Sequence, residues 1–124
     1  MKVRMALAAA LLVASFGCGA YSPQGPSPDP PPPATGGTPA SIVNGASLLT
    51  TTAYAPSPVT VAVGGTVTWT NNDTTTHTSN ANNGAWTSGN IGPGGKFSMT
   101  FPSAGSFTYH CTIHPGMVGT VTVQ

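Results

Sequence analysis

Pro58–Thr70 reads PVTVAVGGTVTWT. Val59, Val61 and Val63 alternate with Thr60 and Ala62, and beyond Gly64-Gly65 the alternation resumes with Val67 and Trp69. A period of two puts those apolar side chains on one face of an extended strand, because successive Cβ atoms point to opposite sides. β-Branched valine and threonine suit that pleated surface, and a Gly-Gly pair between two such runs marks a turn. The stretch therefore predicts two consecutive strands, each half-buried.

The same period recurs downstream. Lys96–Phe101 (KFSMTF) places Phe97, Met99 and Phe101 on one face, Ser106–His110 does so with Phe107 and Tyr109, and Gly119–Val123 with Val121 and Val123. Met99, Trp69 and Trp86 read as core. No stretch beyond Ser41 sustains a helical period. Several short strands with turn signals between them predict an all-β sandwich or small barrel. A domain over residues 41–124 is small and its core modest. A metal joining two separated segments would help to close it.

Residues 1–17, MKVRMALAAALLVASFG, have a basic start, a short apolar run and small residues at the end. The run is too short to span a bilayer as a helix and has the form of an export signal. Ser15-Phe16-Gly17-Cys18 resembles a bacterial lipoprotein box, with Ser15 where an aliphatic residue is more usual. Cleavage before Cys18 and lipidation of Cys18 are expected; cleavage after Ala20 is the alternative. Residues 18–40, rich in proline, glycine and serine, cannot bury enough to offset their ordering entropy and read as an extended tether. Their PPPP run could dock in an aromatic groove, but a spacer is the simpler reading. The expectation is an exported protein, periplasmic or otherwise extracytoplasmic, attached to a membrane through the lipid anchor alone.

Charge narrows the function classes. After such cleavage Lys96 is the sole Lys or Arg, against Asp29 and Asp73. No basic stripe exists to neutralise phosphates, which excludes nucleic acid as a partner, and charge steering cannot dominate encounters. The domain has no glutamate and few aspartates, so general acid–base catalysis by carboxylates has almost nothing to work with. Its one cysteine, Cys111, can form no disulfide within the domain; in an oxidising compartment such a thiol is buried or held by a metal.

Tyr109–Met117 reads YHCTIHPGM. Continuing the alternation past Tyr109 sends His110 outward and Cys111 inward, and Pro115-Gly116 ends the strand. A tight loop then brings His114 and Met117 back toward the sulfur. Thiolate, imidazole and thioether form a soft donor set suited to copper. The remaining strong donor is His77, in the polar loop NNDTTTHTS. Two histidines and a thiolate in a plane, with a weak axial methionine, is an arrangement that serves electron transfer. His110 reads as solvent-facing or as a hydrogen-bonding neighbour. Asp73 could orient a donor in the His77 loop, but reads more simply as a solvated turn aspartate.

VTVAVGGTVTWTNND, HTS and FTYHCTIHPGM followed by VGTVTV together resemble the small blue-copper proteins, the plastocyanin and amicyanin group of cupredoxins, over Ser41–Gln124. The Cys-x-x-His-x-x-Met spacing is similar to the shorter, amicyanin form of the loop. The resemblance implies a Greek-key β-sandwich of about eight strands holding one type 1 copper ion, with His77, Cys111, His114 and Met117 as ligands. It further implies a monomer that passes one electron at a time through His114, with Pro115 and Gly116 in the surrounding apolar patch, in transient complexes with redox proteins. Thr78 departs from the asparagine of many relatives that ties the two ligand loops together; Thr112 is expected to supply part of that bonding.

Rival functions are weaker. Four ligands leave no open strong position for a substrate, as catalytic metal sites require, and only His110 is left over for a second centre, so no enzyme is expected. A copper carrier or delivery protein would use similar residues in a more exchangeable site. Zinc accepts the same donors but is redox-silent. A purely structural sandwich leaves Cys111 beside His114 unexplained.

Overall fold

The computed structural model describes residues 37–124. The expected export signal, the Cys18 lipidation site and most of the tether lie outside the described residues.

Among the described residues, eight strands form two four-stranded sheets packed as a sandwich: β1 Thr38–Ile42, β2 Tyr54–Ala55, β3 Val59–Val61, β4 Thr66–Asn71, β5 Asn80–Ala81, β6 Lys96–Thr100, β7 Gly105–His110 and β8 Val118–Val123, with a 3-10 turn at Ala46–Leu48. One sheet has the order β2-β1-β4-β6 and the other β3-β8-β7-β5. β1 runs parallel to β4 and β3 parallel to β8; the remaining pairs are antiparallel.

The alternating residues fill the space between the sheets. Val59, Val67, Trp69, Tyr109 and Val121 are fully buried, and Ile42 and Tyr54 join them from β1 and β2. Trp69 is the hub, with ring centroids 5.5 Å from Tyr109, 5.7 Å from Phe97 and 5.8 Å from Trp86. Its edge-to-face pairing with Tyr109, at 81°, joins the two sheets, and such a pair contributes about 0.5–1.5 kcal/mol beyond area burial.

Outward positions carry hydroxyls where many domains carry charges. Thr66 and Thr100 face each other across β4 and β6 with their oxygens 2.8 Å apart, and Thr68 pairs with Ser98 in the same way. Cross-strand hydroxyl pairs stabilise a sheet by a few tenths of a kcal/mol to about 1 kcal/mol each.

Several positions differ from the expected pattern. Val63 is 52% exposed instead of sharing the Val59–Val61 face. β3 ends at Val61 because its neighbour is β8, whereas β4 belongs to the other sheet, so Gly64-Gly65 carries the chain between sheets and turns Val63 out. Phe101 is buried beyond the end of β6, where backbone bonds to Gly64 and Gly65 hold it. Phe97, Met99 and Phe107 are half-buried: β6 is an edge strand, and Met99 and Phe107 line an open apolar cleft of about 260 Å³ with Trp86 and Phe101. β1 begins at Thr38, three residues before the expected domain start at Ser41. Pro39 lies where β2 does not yet flank the strand, an edge position at which proline is tolerated.

The β7–β8 pair sets the approach to Cys111. Tyr109 faces Gly119 across the ladder, and a Cβ at Gly119 would overlap the Tyr109 ring and hydroxyl. Gly119→Ala is expected to cost about 1–3 kcal/mol through overpacking, read as a lower melting temperature of the metal-free protein. An unchanged melting temperature would show that the ring moves freely.

Candidate metal centre

β7 and β8 pair as far as His110 and Val118, and residues 111–117 close the hairpin. Within it the Cys111 N–H donates to the Met117 carbonyl (3.1 Å) and the Met117 N–H to the His114 carbonyl (2.9 Å). The second bond defines a β-turn with Pro115 and Gly116 at its centre, and proline suits its second position because its φ is already set. His114 and Met117 are thereby folded back over Cys111. His77 arrives from the β4–β5 connection, where reciprocal backbone bonds with Ile91 (3.1 and 2.8 Å) hold it in an isolated bridge.

The three strong donors converge. Cys111 Sγ is 3.9 Å from Nδ1 of both His77 and His114, and the two Nδ1 atoms are 3.2 Å apart. A point in the plane of these atoms about 2.05 Å from each nitrogen lies about 2.3 Å from the sulfur, the distances that imidazole and thiolate keep from a first-row ion such as zinc. The triangle thus fits one metal ion in its plane. Cys111, His77 and Met117 are fully buried, while His114 is half-buried. Among the described residues this is the cluster of His, Cys and acidic groups that could hold a metal.

The thiol is prepared for that role. Burial alone would push its pKa up, but the backbone N–H groups of Thr78, His114 and Ile113, with the His77 side chain, stabilise the thiolate and lower it to about 6. The thiolate is the form that binds metals.

Thr78 fills the place of the absent asparagine. Its N–H donates to Cys111 Sγ (3.4 Å), and its hydroxyl oxygen accepts from the Thr112 N–H (2.8 Å) and meets the Thr112 hydroxyl at 3.1 Å. The expected contribution of Thr112 is present, with Thr78 as the other half of the link. The Tyr54 hydroxyl donates to the Thr78 carbonyl and fixes that segment from beneath.

Asp73 is not the solvated turn aspartate expected. It is 5% exposed, with Oδ2 2.8 Å from His77 Nε2 and Oδ1 accepting from the Gly45 N–H. Hydrogen bonding to His77 holds its carboxyl well below the usual carboxylate range, with backbone and hydroxyl donors adding to this against the opposing effect of burial. The spacing of four from His77 was visible in the sequence; the burial of the loop was not. His110 projects from the outer face, as the alternation required, and its Nδ1 meets the Asn82 side chain.

Besides Val63, three exposed apolar residues escaped the sequence reading: Leu48 is 90%, Ile113 46% and Val118 36% exposed. The segment after the 3-10 turn lies against the ligand loop, since the Val118 N–H donates to the Thr50 carbonyl (3.2 Å).

The link at Thr78 yields a test. Thr78→Val keeps the N–H on the sulfur but deletes the acceptor for Thr112, and should cost about 1 kcal/mol. Chemical denaturation of the metal-free protein would register this as a lower midpoint; an unchanged midpoint would mean that the loops are held without it.

Comparison with known proteins places the centre in context. Residues 42–124 match the model for copper binding proteins of the plastocyanin/azurin family. The chain is 34% identical to amicyanin from Paracoccus denitrificans, over 99% of this chain and 96% of that protein. It is 38% identical to a plastocyanin from Scenedesmus fuscus, over 57% of this chain and 86% of that protein. Among solved structures, a purple cupredoxin from Nitrosopumilus maritimus aligns with a TM-score of 0.65 and 34% identity, over 70% of this chain and 99% of that one.

Proposed function

Since the chain belongs to the plastocyanin/azurin family of copper-binding proteins, the cupredoxins, we propose that it is a one-electron carrier whose copper ion would be held by Cys111, His77 and His114, with Met117 as a weaker fourth donor. The converging triangle of Sγ and two Nδ1 atoms is the observation that carries this reading. Copper in such a site supplies a Cu(II)/Cu(I) couple.

The protein residues supply rigidity and access. Thr78 fixes the sulfur relative to the His77 loop, the His114–Met117 turn fixes two donors at once, and Ile91 pins the third. Ligands held by backbone bonds have little room to rearrange when the charge on the ion changes, which suits electron transfer. Full burial of Cys111, His77 and Met117 favours retention of the ion over delivery of it, so a carrier for copper itself is the weaker reading. No enzymatic step is proposed: the set has no open strong position, and His110 is the histidine left over.

His114 is the proposed electron port. Half-buried, it is flanked in the chain by exposed Ile113, Pro115 and Gly116, with exposed Val118 where the loop ends. Asp73 is buried, and Lys96 is the exposed Lys or Arg among the described residues. Partners are therefore redox proteins that meet an apolar, nearly uncharged face in short-lived complexes. Export by residues 1–17 and anchoring through lipid on Cys18, with residues 18–40 as spacer, complete the proposal. It places the monomeric copper domain outside the cytoplasm beside a membrane.

Voltammetry of the copper-loaded protein is expected to give a reversible one-electron wave; loss of copper on reduction would favour the delivery reading. Electron self-exchange measured by NMR line broadening should change little with ionic strength and fall severalfold in Ile113→Glu, whose charge is placed on both partners. A steep salt dependence in the parent would mean that another, charged face docks. Intact mass and membrane fractionation of the expressed chain test the anchor: Cys18→Ala should release it in soluble form, and an unlipidated, soluble parent would rule the anchor out.

A further inference from the structure

Asp73 uses both carboxylate oxygens. Oδ1 accepts from the Gly45 N–H (3.1 Å) and the Thr74 N–H (2.7 Å), while Oδ2 accepts from the Thr75 hydroxyl (3.0 Å) and lies 2.8 Å from His77 Nε2. An ionised carboxylate only accepts hydrogen bonds, so Nε2 must be the nitrogen that carries the proton. The Thr75 oxygen is also 3.0 Å from Nε2, and its own proton is directed to Asp73, which agrees with that assignment. A neutral imidazole protonated at Nε2 has its lone pair on Nδ1, the atom aimed at Cys111 and His114.

We propose that Asp73 is a positioning residue for the copper centre: it fixes His77 as the Nε2–H tautomer, so that Nδ1 is free to ligate, and it places a negative charge one imidazole ring from the metal. A carboxylate behind a ligating histidine orients the ring and raises its basicity, which favours the more highly charged oxidation state. The carboxylate also spans two segments, since Gly45 lies 28 residues before it in the chain. Gly45 precedes the turn that carries exposed Leu48, so the same side chain ties that turn to a copper ligand. This inference rests on the ligand assignment above, but its main readout does not require copper.

Asp73→Asn separates charge and tautomer from mere loop structure. The Gly45 and Thr74 N–H groups can only donate, so they claim the amide oxygen and leave the NH₂ group facing His77 and Thr75. An NH₂ donor there requires His77 Nε2 to accept, which moves the proton to Nδ1, the ligating atom. The measurement is imidazole ¹⁵N NMR of the copper-free full chain, with amide spectra verifying that each variant is folded. The parent is expected to carry Nε2–H at His77 and D73N to carry Nδ1–H. Copper affinity should fall about 10–100-fold in D73N, and the reduction potential should rise. Thr74→Val changes an exposed side chain of the same loop but keeps the carboxylate and the residue-74 N–H; it should retain the parent tautomer and nearly the parent affinity.

A parent with Nδ1–H would overturn the proposal without any variant. So would a D73N protein with the parent's tautomer, affinity and potential, or a Thr74→Val loss as large as that of D73N. Should D73N not fold, Asp73→Glu, which keeps the charge but displaces it, decides by its potential: a value closer to the parent than that of Asp73→Ala supports the role, and equal values refute it. If the predicted tautomers appear but the loaded protein shows no thiolate–copper bond, the functional reading fails while the positioning of His77 stands.

Discussion

Thr78 holds the centre together. The metal-binding residues come from segments 34 residues apart, His77 on one side and Cys111 on the other, and the short β5–β7 pairing of Asn80 with His110 and Ala81 with Tyr109 stops just before it reaches them. The Thr78 N–H reaches the sulfur and its hydroxyl takes the Thr112 N–H, so the two segments meet through short side-chain–backbone contacts before any ion binds them. Behind that link stand Tyr54, which donates to the Thr78 carbonyl, and Tyr109, whose ring packs on Tyr54 at 4.7 Å and joins Trp69 in the core. The hydrophobic interior thereby sets the position of the donor atoms: a shift of Tyr109 would be passed to Cys111, two residues further along the chain and just past the end of β7.

The sequence made the strands legible because burial on one face leaves a period of two. Val59, Val61, Val67, Trp69, Tyr109, Val121 and Val123 are all buried as that period required. It could not say which sheet a strand joins. Gly64-Gly65 looks the same whether it turns between neighbours or between sheets, and Val63 was misplaced for that reason. β1 was missed at its start because proline and threonine look like tether until β4 is available to pair with them. The return of the cysteine loop was legible, since its spacing and its Pro-Gly turn are local, but the exposure of Ile113 within it was not. The environment of His77 was not. Whether Asp73 faces water or an imidazole depends on Gly45 and Ile91, which are distant in sequence.

A domain with so few charges must obtain its solubility and its encounter properties in other ways. Paired threonine and serine hydroxyls on the outer face of β4 and β6 satisfy one another and water without adding net charge. Buried Asp73 serves a histidine instead of the surface. What remains around the ligand loop is Ile113, Pro115, Gly116 and Val118, an apolar surface with little to steer an approach and little to prevent departure. The short-lived complexes proposed for this face rest on that lack of charge.

The proposed function stands or falls on a direct bond between the Cys111 sulfur and copper. The most direct measurement is the visible absorption and electron paramagnetic resonance of the Cu(II)-loaded protein beside Cys111→Ser. An intense sulfur-to-copper charge-transfer band is expected in the parent, bleaching on reduction and returning on oxidation, and absent from the variant. Tight copper binding with no such band, or a band that survives the loss of Cys111, would contradict it.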